Sequence, residues 1–435
     1  MVALVSCGII PPMAAQSELR VPSLRLSGPR LEAVPIDLNR GIGPDDAAII
    51  ATYLSPALQV ARDRHGAAMA QLVQAGVLPN PQVSYSRDYV TGGNTLNTTT
   101  AHNLSAGWEI SSLIPLLAKQ TAARRNLRSV DLDVAWTEWQ IAENARTAVY
   151  RVVGLRAQLA SARAAENELT QSADTLQRAM EAHEKTVLDF GAAKAAQQDA
   201  IATALGLQQE SDKQLLVLKK TIGVPPESEL RLRSGIGLPS HLEVPNEFAL
   251  TEDLENRRLD LVALQQGYRS QDATVRATIL AQFPRLTIGG SKAGDTSNVH
   301  TEGFAITVDV PIFDRNQGVI AAERATRQRL LDEYHQRVFE ARSDIASALA
   351  DIRSLNKQVA AAEGALPIFE RLVSSAEAAL REGNTDVLSY YNARSGLLQR
   401  RIQLIKLKEQ LLEARTALEL ASGRFLPSNA AMHVR

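Results

Sequence analysis

The sequence predicts a mainly α-helical protein with a small β part, made by duplicating one unit of helix, strand pair, long helix and second helix. Three observations carry this. Residues Phe283 to Gly318 read as strand, loop, strand, sharp stop and helix start: Leu286 and Ile288 alternate with Thr287 and Gly289, and after a small, polar loop (Ser291 to His300) Phe304, Ile306, Val308 and Val310 alternate with Ala305, Thr307 and Asp309. The same unit stands earlier in the chain, where Val83, Tyr85 and Tyr89 alternate with polar residues and Leu104, Ala106, Trp108 and Ile110 alternate with Ser105, Gly107 and Glu109. The helical pattern after the first strand pair, residues 115 to 189, holds about 75 residues, or about 110 Å at 1.5 Å per residue, too long for a compact domain.

In order, residues 1–44 form an irregular arm rich in proline. Repeat 1 spans 45–222. Its first helix starts at Gly43-Pro44-Asp45-Asp46 and runs to about Val77, its strand pair covers 81–112, and its long helix breaks at Phe190-Gly191. A Pro- and Gly-containing linker covers 223–247. Repeat 2, 248–423, runs as a helix to Gln282, a strand pair at 284–311, a long helix at 314–382 that Pro367 should kink or break, a break at Gly383, and a last helix. That helix carries Leu397, Leu404, Leu411 and Leu418 at strict sevens, a seam for a partner helix. Residues 424–435 are a tail. In each repeat two shorter helices laid end to end match the long one, so the expected body is a rod about 100 Å long with both strand pairs at one end.

Composition excludes several classes. With 47 basic and 48 acidic residues the 435-residue chain has no electrostatic footprint for nucleic acid. No apolar run of about 20 residues is present. One cysteine, Cys7, excludes a disulfide framework within the chain. Leu4-Val5-Ser6-Cys7-Gly8 resembles the lipobox of bacterial lipoproteins; the six residues ahead of Cys7 are fewer than the basic start and apolar core of about 7–15 residues of a secretory signal, so that reading rests on the short run itself. His65, His102, His183, His241, His300, His335 and His433 show no metal-ligand spacing, and neither Gly92-Gly93 nor Gly289-Gly290 leads into a phosphate-binding helix start. No catalytic, cofactor or metal set is expected; His102 and His300 fall in corresponding loops.

Strands of about ten residues have membrane-spanning length. Val83, Tyr85, Trp108, Ile110, Ile288, Phe304, Ile306 and Val308 would lie on these membrane strands, with Trp108, Tyr85, Tyr89 and Phe304 serving the lipid face or its aromatic girdles. Four strands cannot close a barrel, and an open edge is not tolerated in hydrocarbon. Three chains would supply twelve strands, an even number within the outer-membrane range, so the sequence calls for a homotrimer.

Ala75-Gly76-Val77-Leu78-Pro79-Asn80-Pro81-Gln82, the two strand–loop–strand units, Pro311-Ile312-Phe313-Asp314 with Gly318, and the breaks at Gly191 and Gly383 resemble the TolC-like outer-membrane efflux proteins over roughly residues 40 to 425. The Leu-Pro-Asn-Pro element and the terminal heptad are similar to the heavy-metal efflux branch, whose members include lipoproteins; Ser111-Ser112-Leu113-Ile114-Pro115 stands where that branch has a second glycine-rich run. The resemblance implies a trimeric conduit in the bacterial outer membrane, with a twelve-stranded β-barrel in lipid, an α-barrel through the periplasm, and a gated tip where a periplasmic adaptor (membrane fusion) protein and an inner-membrane pump dock. It also implies an acylated Cys7. The cargo would be small molecules or metal ions. Alternatives are the duct of a type I protein secretion system and a periplasmic coiled-coil adaptor or scaffold. Threefold symmetry would turn tip charges into rings that select ions by sign. Candidates are Asp189, Lys194 and Asp199 around Gly191, and Arg381, Glu382 and Asp386 around Gly383, with Asp386 first because it opens the Asp386-Val387-Leu388 run.

Overall fold

The computed structural model describes residues 40–93, 96–382 and 386–426. Cys7, Gly383, most of the arm and most of the tail lie outside them. The duplication is plain in the helices. In repeat 1, α1 (Pro44–Leu54) and α2 (Pro56–Ala75) precede the long α3 (Leu116–Glu181) and α4 (Val187–Ile222). In repeat 2, α5 (Glu247–Thr251), α6 (Leu254–Arg257) and α7 (Leu259–Leu280) precede α8 (Gln317–Arg381) and α9 (Val387–Ser422). The long helices have 66 and 65 residues, and α4 and α9 have 36 each. At 1.5 Å per residue the rod is about 100 Å long.

Neither first helix is continuous, contrary to the sequence reading. Pro56 suits the first turn of α2 but pushes Ser55 to an extended backbone (ψ 120°), so the helix expected from Asp45 to Val77 breaks there. The helix expected from 248 to 282 is three pieces, separated where Asp253 turns left-handed (φ 55°) and Arg258 is extended. Both breaks serve the joint between stacked helices. α4 ends at Gly223, whose φ of +79° suits glycine, and a Cβ there would stand 2.4 Å from the Leu54 carbonyl oxygen. α9 ends at Gly423 (φ +62°) against Arg258. Arg258 is buried: it grips Asp260 at 3.0 and 2.6 Å, donates to the Ala421 carbonyl at 3.1 Å, and lies over the Trp136 ring.

Pairings along α3 set the column order. Arg62–Glu138 and Asn126–Gln71 lay α2 along its first half, and Arg163–Gln208 and Gln197–Thr170 lay α4 along its second. On its other side Ser129 donates to the Ala263 carbonyl and Ser270 to the Ala122 carbonyl, fixing α7, while Gln158–Glu409 and Ser172–Tyr391 fix α9. α8 packs on α7 and α9, with Arg327–Asp272, Lys408–Glu363 and Arg401–Glu370 along the seam. The wall therefore runs α2/α4, α3, α7/α9, α8. Ile50 and Ala51 of α1 pack with Val149, Val152, Leu218 and Ile222 at the first joint; Leu250 and Leu254 pack with Ile345, Leu349 and Leu411 at the second. The heptad leucines Leu404, Leu411 and Leu418 are buried as the pattern requires. Pro367 does not break α8; it lies on an exposed face of a continuous helix. The linker is anchored, with Leu232 bridged to Ile42 and Leu230, Leu232 and Ile236 packed on the first joint.

β1 (Gln82–Asp88), β2 (Ala101–Glu109), β3 (Arg285–Gly294) and β4 (His300–Asp309) form one antiparallel sheet in the order β1-β2-β3-β4. Strand order repeats column order: β1 follows α2, β2 leads into α3, β3 follows α7 and β4 leads into α8. His102 and His300 thus sit on strands, not in loops, and Tyr89 lies one residue beyond β1.

The candidate conduit wall, its edges and its tip

The sheet has two chemically different faces, because residues paired across antiparallel strands point the same way. One face carries the apolar rungs Leu286–Val308, Trp108–Ile288–Ile306 and Val83–Ala106–Gly290–Phe304 and, toward the outer end, Tyr85–Leu104–Lys292–Glu302 and Arg87–His102–Gly294–His300. The other carries Ser84–Ser105–Ser291–Gly303, Gly107–Gly289–Ala305 and Thr287–Thr307. Every residue of β1 and β4 is exposed. Val83, Tyr85, Phe304, Ile306 and Val308 are bared to between 48% and 74%. Seven of the eight residues expected on membrane strands share this face; Ile110 lies just past β2, its N–H bonded to the Leu286 carbonyl. Trp108 stands at the helix end of the sheet and donates its indole N–H to the Pro79 carbonyl at 2.8 Å, which ties the Leu-Pro-Asn-Pro element to the strand.

Edges are open on the same two sides in both layers. β1 and β4 each have one neighbour. The outer columns likewise expose apolar side chains: Val60 and Val73 on α2, Leu205 and Leu216 on α4, and Phe339, Ile368 and Leu372 on α8 are all more than half exposed. Among the described residues α3 bares one large hydrophobic to that extent, Leu117 in its first turn.

At the far end the chain turns between Glu181 and Val187, where His183 adopts a left-handed backbone (φ 60°). The turn is not at Gly191, which lies inside α4. Thr186 caps α4: its hydroxyl accepts from Asp189 N at 3.1 Å and the Asp189 carboxylate accepts from Thr186 N at 3.1 Å. In repeat 2 Asp386 is the cap, accepting from Ser389 N at 2.6 Å. That N–H holds its carboxyl below the usual carboxylate range. The two caps are 200 residues apart, as are Val187 and Val387, and Gly223 and Gly423, so the counterpart of Gly191 is Tyr391. The signal overlooked in the sequence was the cap itself, a Thr three residues before an Asp at the start of a helical run. Asp189 and Asp386 are therefore both helix-start acids. Arg381 pairs with Glu377, one turn back on α8. Lys194 and Asp199 are exposed on α4, and Asp199 borders a cleft of about 660 Å³ between α3, α4 and α9. Glu382 is exposed at the end of α8. Beside these charges Val187, Leu188 and Leu388 stand 73%, 85% and 55% exposed.

Comparison with known proteins agrees with this architecture. The family model described as outer membrane efflux protein matches residues 250–424. The cobalt-zinc-cadmium resistance protein CzcC of Cupriavidus metallidurans is 26% identical over 195 residues, 43% of this chain and 44% of that protein. The cation efflux system protein CusC of Escherichia coli is 25% identical over 217 residues, 48% of this chain and 46% of that protein. The chain thus spans less than half the length of these curated relatives. A solved CusC structure superposes with a TM-score of 0.72 at 19% identity, covering 92% of this chain and 97% of that one, which establishes the fold. The second repeat thus matches the outer membrane efflux protein family in sequence, and nearly the whole chain shares the fold of the solved CusC structure.

Proposed function

We propose that this protein is the outer-membrane channel of a tripartite efflux system. Three copies close head to tail, β4 and α8 of one against β1, α2 and α4 of the next. The sheets make a twelve-stranded barrel, an even number within the known range. The columns continue it as a periplasmic tunnel. The coincidence of open edges in sheet and helices carries this reading. A heterologous contact of this kind builds a ring when its rotation closes, and an unpaired strand edge cannot remain in hydrocarbon. The Val83–Phe304 face suits lipid and the serine, threonine and glycine face suits a water-filled lumen.

The channel is passive and catalyses no reaction; an inner-membrane pump supplies the energy through a periplasmic adaptor. The bare Val187, Leu188 and Leu388 at the tip suit an adaptor helix, while Asp189, Lys194, Asp199, Arg381, Glu382 and Asp386 supply charge near the entrance. Acylation of Cys7 would tether each chain to the membrane. Cargo is small molecules or metal ions, and the similarity to a cobalt-zinc-cadmium resistance protein and a cation efflux system protein favours cations. The test is fractionation and electrophoresis of the full chain. An SDS-resistant, heat-modifiable trimer from the outer membrane that conducts in a planar bilayer is expected. A monomer from the periplasmic fraction would overturn the reading in favour of a scaffold.

A further inference from the structure

We propose that His102 and His300 form a binding site for a divalent first-row transition-metal cation, of the zinc or copper type, at the end of the sheet farthest from the helices. The two residues lie on β2 and β4, each paired with Gly294 of the intervening β3. All three positions share the face that carries Val83 and Phe304, two rungs beyond them at the polar outer end and past the Lys292–Glu302 pair. Gly294 is buried beneath the two rings, and a Cβ built on it would stand 2.5 Å from His102 Cε1. That same point is 3.1 Å from Nδ1 of His102 and 3.1 Å from Nδ1 of His300. The absence of a side chain at 294 therefore lets two imidazoles from strands that are not neighbours converge over one spot. Their centroids are 6.0 Å apart and their planes 51° apart, so the rings are not stacked.

The separation fits a shared ion. A ligating imidazole nitrogen lies about 2.0–2.1 Å from zinc, which puts the ring centroid about 3.2 Å from the metal, so two rings on one ion have centroids about 5–6 Å apart. Imidazole is a ligand suited to zinc, copper and nickel. Among the described residues no group of three or more metal-binding side chains gathers here or elsewhere, so water completes the coordination. Neighbouring charges leave the spot available. Glu302 and Lys292, one rung nearer the helices, satisfy each other at 2.6 Å. Arg87, opposite His102, is turned over the Tyr89 ring, 5.3 Å from its centroid.

The scaffold is fixed rather than loose. The β3–β4 turn is closed by Asp295 N donating to the Val299 carbonyl at 3.0 Å, and the Asp295 carboxylate accepts from Ser297 N and Val299 N at 2.8 and 2.9 Å. Thr99 N donates to the Thr296 carbonyl at 2.9 Å, tying the outer ends of the two hairpins together. Ligands carried on strands keep their spacing better than ligands on free loops. A bound ion would staple β2 to β4 across β3.

This inference does not depend on the conduit reading, since it needs only the sheet. The experiment uses the full chain without a polyhistidine tag, purified in detergent. Zn²⁺ is titrated by calorimetry, and Cu²⁺ is bound for electron paramagnetic resonance. The expected results are one ion per chain and a copper spectrum with two equatorial imidazole nitrogens. His102→Asn and His300→Asn should each weaken Zn²⁺ binding about tenfold or more, by analogy with the loss when a metal ligand's surroundings are disturbed. Gly294→Ala, which keeps both imidazoles, should weaken it as well. Zn²⁺ affinity unchanged in both histidine variants, or a copper spectrum with a single imidazole, would overturn the site; unchanged affinity in Gly294→Ala would overturn the convergence over the glycine.

Discussion

The two long helices, α3 and α8, come from the same duplicated unit and differ in length by one residue, yet they live in different surroundings. α3 is flanked on both sides, by α2 and α4 and by α7 and α9, and Val149, Val152 and Ala162 are fully buried. Among the described residues α8 packs on α5, α7 and α9. It buries Ile345, Leu349 and Val359 there and leaves Phe339, Ile368 and Leu372 bare. A repeat unit that buries one face against its neighbour leaves the outermost copy with an unspent face. On the proposed reading that face belongs to the next chain, where it would meet the bare residues of α2 and α4.

The strongest way to break this comparison is to charge the bare face. Phe339→Asp with Leu372→Asp should abolish the SDS-resistant trimer while circular dichroism of the chain keeps its helical signal. A trimer that survives would mean that α8 faces solvent, not a neighbour. Next, a substitution on the covered face of the same helix separates folding from assembly. Leu349→Ala should cost about 2–5 kcal/mol in denaturant unfolding, the usual range for a buried leucine, and should leave the oligomer formed by the folded fraction unchanged.

A smaller effect tests the tip. Asp386→Ala removes the cap of α9 and should lower the urea midpoint of unfolding. Asp386→Asn keeps an N-capping oxygen and removes only the charge. If the residue also contributes to a charged ring, Asn as well as Ala should change cation selectivity in a planar bilayer; unchanged selectivity with Asn would leave Asp386 a cap alone. The smallest expected effect lies where the repeats meet, between α3 and α9. Burial pushes the Glu409 carboxyl up to about 7, with Glu413 adding to the rise and Arg151 and Lys406 opposing it. Burial does the same to Glu143, against the pull of Arg146. Unfolded, these groups ionise near the ordinary glutamate value of 4.5. The folded chain then holds more protons than the unfolded one between about 4.5 and 7, so their contribution is fully present below that window and is lost as pH rises through it. Glu409→Gln should flatten part of this slope in urea midpoints measured from about pH 4 to 8.

Much of this was legible along the chain. Period-two alternation at 83–89, 104–110, 286–289 and 304–310 marked the helix-side part of each described strand, because a sheet with a wet and a dry face writes its pleat into the sequence, while the outer ends, Ser291–Gly294 and His300 among them, read as loop. The heptad from Leu397 to Leu418 marked the packed face of α9 in the same way. The first tip was misread because glycine was treated as the stop. Gly191 is an exposed helical residue, and the stop signal was the Thr186–Asp189 cap.

What the sequence determined by itself was everything carried by local periodicity and count: two repeats, four strands, two helices too long for a compact domain, and a rod rather than a compact core. These follow from short-range rules of helix rise and strand pleat, which each segment obeys before it meets any other. Only the tertiary structure decided the breaks at Ser55 and Arg258, the column order, and the meeting of His102 and His300 over Gly294. Each of these depends on which distant segments share one joint or one rung, and no local pattern records that.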